Sequence, residues 1–351
     1  MKKLSIHPMF VRCFSLSLLL LVGCSSTGQA NSSVEFHNQE IDYQPGFTTF
    51  VSGFWNMLTS DTPDLTPDSP LPMTAMTKQQ LLNEDADVIY RLGHSTMLIK
   101  LGNQWILTDP MFSERASPVQ WMGPKRFHPT PITIDQLPSI DTVVISHNHF
   151  DHLDEASIVK LTPKVKHFLV PKQIAPLLEE WGVPAAKVQA LNWWETTQIG
   201  TTKFVFTPAQ HYSGRGLVDR NETLWGGWLM LSATHKVYYS GDTGYYDVFK
   251  KIGEQYGPID VALLEDGQYN HGWADIHMFP EQVVQASLDL KSQVMLPVHN
   301  STFQLADHAW YEPLEKVVEI GQQKGVEVVT PEFGERYQIG EPWAEEKWWS
   351  Q

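Results

Sequence analysis

The sequence predicts an α/β protein: two stacked β-sheets flanked by helices, in one domain. Three observations carry this. Short apolar runs of strand length recur in both halves of the chain, helical stretches separate them, and no unit repeats at a fixed period. Sheets joined by helices bury all their apolar faces when the helices cover the outer sides. With 42% hydrophobic and only 19% charged residues among 351, the chain can bury a sizeable core.

From residue 87 onward the strand signals follow in order. Residues 88–92, 97–101 and 105–108 read as a meander, and 142–146 as a short buried strand that ends at a His-rich loop. Further strands fit 168–171, 203–207, 228–231, 237–240, 261–264, 294–297 and 326–330. Helices fit 174–181, 246–255, 280–290 and 312–324.

The region before the domain reads as export and linkage. Lys2, Lys3 and Arg12 accompany an apolar run, 14–22, far short of the roughly 20 residues that span a bilayer. Leu21-Val22-Gly23-Cys24 resembles the lipobox of bacterial lipoproteins, where cleavage precedes the Cys and its thiol is lipidated. Ordinary secretion with cleavage after Ala30 is the alternative. The lipobox makes residues 1–23 a lipoprotein signal peptide and Cys24 the lipidation site. Ser25 after it resembles lipoproteins sorted to the outer membrane, so the expected location is lipid-anchored in the bacterial envelope, at the outer membrane facing the periplasm. Residues 24–72 then read as a Ser-, Asn-, Gln- and Gly-rich tether, an amphipathic helix over 47–58 and a Pro-rich linker. That helix carries Phe47, Phe50, Val51, Phe54, Trp55 and Leu58 on one face, for a membrane surface or for the protein's own body. The folded domain is expected over 73–340 and a Trp-rich tail over 341–351, whose Trp343, Trp348 and Trp349 could touch the membrane or the protein's own body.

Composition excludes several functions. Lys plus Arg number 25 against 40 Asp plus Glu, a formal charge of -15, which disfavours nucleic acid as a partner. The two cysteines, Cys13 and Cys24, lie near the N-terminus, so neither a disulfide scaffold nor a multi-thiolate zinc site is available. Metal must be held by His and carboxylates.

Those residues concentrate at strand ends. Val143-Val144-Ile145-Ser146 leads into His147-Asn148-His149-Phe150-Asp151-His152. Imidazole and carboxylate without thiolate suit zinc, and Mn or Fe fit the same ligands. Four ligands so close together cannot all serve one open catalytic ion, which suggests two. His211, Asp242 and His299 follow later strands in Pro208-Ala209-Gln210-His211, Ser240-Gly241-Asp242 and Leu296-Pro297-Val298-His299.

With these motifs the sequence resembles the metallo-β-lactamase superfamily, which implies an αββα sandwich of two mixed sheets flanked by helices. The resemblance implies His147, His149 and His211 on one zinc, Asp151, His152 and His299 on the other, and Asp242 bridging. More closely, the chain resembles the N-acylphosphatidylethanolamine-hydrolysing phospholipase D family. That similarity rests on Gly93-His94-Ser95-Thr96, Thr108-Asp109-Pro110-Met111-Phe112-Ser113, Arg115-Ala116-Ser117-Pro118 and Gly123-Pro124-Lys125-Arg126-Phe127, and runs over about 87–337. His277, in Asp275-Ile276-His277-Met278, matches a His that the family places beside the reacting phosphate. Asn300-Ser301 departs from the family's Trp-Gly.

The expected reaction is metal-hydroxide attack on phosphorus, because two cations lower the pKa of a shared water from about 15.7 towards 7. Asp151 and Asp242 would hold the nucleophile, and His277 would orient phosphate or protonate the leaving oxygen, unless it is a loop His without a catalytic part. Arg215 reads as a phosphate clamp or a surface residue. His94 reads as a hydrogen-bonded structural His or, through its loop, as a neighbour of the metals; Asp109 reads as a turn residue rather than a metal ligand, and Tyr245 and Tyr246 as packing. The expected partner besides the membrane is a phospholipid substrate. Hydrolysis of another ester, lactone or cyclic phosphate is the alternative, as is a non-catalytic metal-binding lipoprotein.

Overall fold

Apolar runs that are buried on both faces pair into two seven-stranded sheets. The computed structural model describes residues 35–43, 62–216, 218–344 and 346–350. The signal peptide, Cys24, the tether up to residue 34 and the amphipathic segment 47–58 lie outside them. In the first sheet β1 (Val88–Arg91), β2 (Met97–Leu101) and β3 (Gln104–Thr108) form the antiparallel meander. Then β4 (Ile140–Val144), β5 (Val165–Pro171) and β6 (Val188–Leu191) continue it in parallel, and β14 (Arg336–Gln338) pairs antiparallel with β1. The second sheet runs antiparallel through β7 (Thr196–Ile199), β8 (Thr202–Thr207), β9 (Gly227–Leu231) and β10 (Lys236–Tyr239). It turns parallel through β11 (Ile259–Glu265), β12 (Ser292–Val298) and β13 (Glu327–Val328). The two orders are β14-β1-β2-β3-β4-β5-β6 and β13-β12-β11-β10-β9-β8-β7, so both sheets are mixed and both change sense at an inner strand, β3 or β10.

Three apolar layers stack through the molecule. The middle one lies between the sheets, where Met97, Ile99 and Leu101 of β2 meet a core that includes Phe204, Phe206, Trp228 and Leu263, while Leu98 points to the opposite layer. That outer layer is covered by α1 (Lys78–Leu82), α2 (Glu155–Leu161) and α3 (Ala175–Glu180) through Leu81, Ile158, Leu161 and Leu178. On the second sheet α4 (Val248–Tyr256), α5 (Pro280–Asp289) and α6 (Glu312–Lys324) do the same through Phe249, Ile252, Val283 and Val317. The result is an αββα sandwich.

The flanking segments join these layers. Trp348 and Trp349 are each 2% exposed and belong to the α4–α6 layer, with Trp348 Nε1 donating to the Thr330 carbonyl at 3.0 Å, so these residues serve the body of the protein. The Pro-rich linker also packs: Leu71 is buried, and the Asp64 carbonyl accepts from Trp310 N. Among the described residues no helix is long and apolar enough to cross a membrane.

Candidate metal centre

Strand ends deliver the functional side chains to one place. The His-rich loop follows β4, His211 follows β8, Asp242 follows β10 and His299 follows β12. The turn before Asp242 requires glycine: Gly241 has φ +60°, and a Cβ there would lie 2.7 Å from the Gly226 carbonyl oxygen and from Ser146 Cβ. His299 itself takes φ +68°, held by a hydrogen bond from its N–H to the His94 carbonyl at 2.9 Å.

All seven residues expected from the sequence converge, in two sets. His147 Nε2 lies 2.8 Å from His149 Nδ1, and His211 Nε2 lies 3.3 Å from the same atom. In the second set Asp151 Oδ2 is 3.3 Å from both His152 Nε2 and His299 Nε2. Asp242 faces both sets. Its Oδ2 is 3.8 Å from His147 and His211 Nε2 and 3.1 Å from His299 Nε2, while its Oδ1 is 3.2 Å from His152 Nε2. His94 adds an eighth group: it is hydrogen-bonded, its Nε2 3.1 Å from Asp151 Oδ2, and it stands beside the second set.

Cations fit this arrangement. His152 Nε2 and Asp242 Oδ1 are buried 3.2 Å apart without the alignment of a hydrogen bond, as donor atoms that converge on a shared ion would be. Burial pushes His147, His149 and His211 below the usual imidazole range, His149 to about 4, which keeps their lone pairs available. Burial opposes charge on Asp151 and Asp242 too, but His152 and its neighbours outweigh it and hold both carboxyls well below the usual range. The same carboxylates overcome burial at His152 and His299, raising His299 to about 10. Without a cation, the protonated rings of His152 and His299 balance the two carboxylates; bound divalent ions would take over that balance as these rings give up their protons.

The inward-facing nitrogens are chosen by what the opposite ones bind. His211 Nδ1 donates to the Ile276 carbonyl at 3.2 Å, and His152 Nδ1 to Asp109 Oδ2 at 2.6 Å. Ser146 Oγ donates to Asp109 as well, so it accepts from His147 Nδ1 at 2.9 Å. Asp109 is therefore more than a turn residue: fully buried, it accepts from Ser146 N, Ser146 Oγ, Tyr239 Oη and His152, and it orients two rings of the site. Asp109→Asn should weaken metal binding about 10–100-fold, because an amide offers one acceptor where four donors converge. Competition titration against a chelator checks this, and unchanged affinity would remove Asp109 from the site's support.

His277 stands beside the cluster. Its ring stacks on His299 at 5.4 Å and meets His211 edge-on at 5.1 Å, and its Nδ1 donates to Glu265 Oε2 at 3.1 Å. Glu265, fully buried at the end of β11, was not singled out by sequence reasoning. Its other oxygen accepts from Met278 N at 2.6 Å, which fixes the loop that carries His277. The available signal was a carboxylate ending an apolar run, Val261-Ala262-Leu263-Leu264-Glu265.

Arg215 is engaged with the protein itself. Its guanidinium lies 4.0 Å over the Phe150 ring and donates to the Asn148 and Leu153 carbonyls at 2.8 and 2.7 Å, clamping the His-rich loop. Tyr245 and Tyr246 pack on Phe249. Asn300, at the departure from the family pattern, is fully buried and accepts at Oδ1 from Arg91 Nη2 at 2.6 Å.

A family model described as the β-lactamase superfamily domain matches residues 104–300. A protein of Mycobacterium tuberculosis is 40% identical over 289 residues, which cover 81% of this chain and 77% of that one. N-acyl-phosphatidylethanolamine-hydrolyzing phospholipase D 1 of Caenorhabditis elegans is 34% identical over 292 residues, 78% of this chain and 82% of its own length. Among solved structures, a metallo hydrolase from Ignicoccus hospitalis is similar in fold, with a TM-score of 0.56 at 24% identity over 74% of this chain and 100% of that one.

Proposed function

The chain belongs to the β-lactamase superfamily, and from that premise we propose that it is a dinuclear zinc phosphodiesterase of the phospholipase D type, acting on N-acylphosphatidylethanolamine or related glycerophospholipids. The coarser reading, a hydrolase that binds divalent metal, follows from the superfamily and the His and Asp clusters. The observation that supports the finer one is Asp242, which faces His147 and His211 of one set and His152 and His299 of the other. Likeness to the nematode phospholipase over most of both chains supports the substrate class.

Two zinc ions held by these seven residues would supply Lewis acidity and a hydroxide nucleophile at neutral pH. The protein's own groups do the rest. Asp151 and Asp242, both ionised, orient the attacking oxygen towards phosphorus. His277, held by Glu265 through Nδ1–H, would act in its doubly protonated form: its Nε2–H would donate to a phosphate oxygen or pass its proton to the leaving alkoxide as the bond from phosphorus to the head group breaks. Products would be phosphatidic acid and an N-acylethanolamine or free amine. Metal-loaded protein in oxygen-18 water should place the label in the phosphate of phosphatidic acid, read by mass. Label in a released fatty acid would sink the assignment.

We further propose that Cys24 carries a lipid anchor and holds the protein in the bacterial envelope, at the outer membrane facing the periplasm. Leu21-Val22-Gly23-Cys24 supports this. Cys24→Ser should leave unprocessed precursor; normal maturation and membrane fractionation of that variant would refute the anchor.

A further inference from the structure

We propose that residues 35–43, which precede the hydrolase domain in sequence, are a working part of the metal centre, with Asn38 as the positioning residue for His211. This rests on His211 being a metal ligand, as proposed above. Asn38 Nδ2 donates to the His211 carbonyl at 2.8 Å, and Asn38 Oδ1 accepts from the His211 N–H at 2.9 Å. One carboxamide thus pairs with both main-chain groups of one residue, 173 positions away, as a neighbouring strand would. The same Oδ1 accepts from Nε1 of the fully buried Trp225 at 3.1 Å, which fixes the carboxamide in turn.

His211 lies past the end of β8, where the sheet ladder no longer serves its backbone. Among the described residues Asn38 is the partner of both its N–H and its carbonyl. His211 is 1% exposed, so water does not replace Asn38 cheaply, and its loss strands a buried donor and acceptor.

The strap is pinned on both sides of Asn38. Phe36 N donates to the Asn221 carbonyl at 2.9 Å and its side chain packs on the inter-sheet core. The Tyr43 carbonyl accepts from Arg220 Nη2 at 2.9 Å, and the Arg220 guanidinium also lies over the Tyr212 ring. Tyr212 in turn meets the His149 ring edge-on at 4.5 Å. The strap therefore touches the supports of two members of the first donor set.

The test uses the full chain, stripped of metal and titrated with cobalt(II). The unsubstituted protein should bind two ions; binding none would overturn the ligand reading of His211 instead of the role of Asn38. Asn38→Ala should weaken one of the two steps about 10–100-fold and shift the cobalt absorption bands, leaving the other step in place. A merely structural role would lower Tm and leave both affinities and the bands unchanged, and that result overturns the proposal. If Asn38→Ala does not fold, Asn38→Asp keeps the acceptor for the His211 N–H but sets a carboxylate oxygen against the His211 carbonyl, so it should weaken the same step, and unchanged affinities would overturn the proposal. In the unsubstituted protein the His211 amide should exchange its hydrogen as slowly as those of β8; fast exchange would also refute the proposal.

Discussion

Asp242→Asn is expected to lower turnover by at least about 10²–10³-fold and to leave fewer than two ions per chain. Asp242 Oδ2 faces His147 and His211 of one set and His299 of the other, and its Oδ1 faces His152, so the side chain is shared by both sets. An amide of the same shape keeps one acceptor and turns an NH2 towards imidazoles or cation. It also removes the negative charge that holds His152 and His299 in their present electrostatic balance. Metal content by elemental analysis, measured beside the rate, decides the matter. Two ions and full activity in the variant would exclude Asp242 from the site.

His277→Ala is expected to lower kcat about 10²–10⁴-fold while both ions remain bound. The separation follows from geometry. The His277 ring leans on His299 and His211, but its one anchored nitrogen goes to Glu265, so its loss removes a proton donor without removing a donor atom of either set. A variant that loses metal in step with activity would instead make His277 part of the ligand set, and one with unchanged kcat would give it no role in the reaction.

Much of the scaffold was legible because its strands are buried on both faces. Runs such as Val261-Ala262-Leu263-Leu264 in β11 can be nothing but core, and β2 was read to the residue. The strands that sequence reasoning missed, β6, β7 and β14, all stand at sheet edges. There Val188-Gln189-Ala190-Leu191 and Thr196-Thr197-Gln198-Ile199 leave side chains partly exposed, and polar residues blunt the apolar signal. The helices α1 and α2 were not read either: α1 buries only Leu81, and α2 starts directly behind the His-rich loop.

The site divides along the same line. His147, His149, Asp151 and His152 form a local pattern, and His211, Asp242 and His299 each follow a readable strand. Asp109, Glu265 and Asn38 are defined by partners far along the chain. The 43 positions between Asp109 and His152 say nothing of a 2.6 Å hydrogen bond, and Asn38 sits where composition suggests only a tether.

The attachment of Asn38 also sets a leash. For a chain lipidated at Cys24, fourteen residue steps separate the lipid from the point where the backbone is tied to His211. Fully extended, they reach about 50 Å. The metal centre would then work only within about that height of the leaflet that holds its anchor, and for a lipid substrate that membrane would be the one within reach.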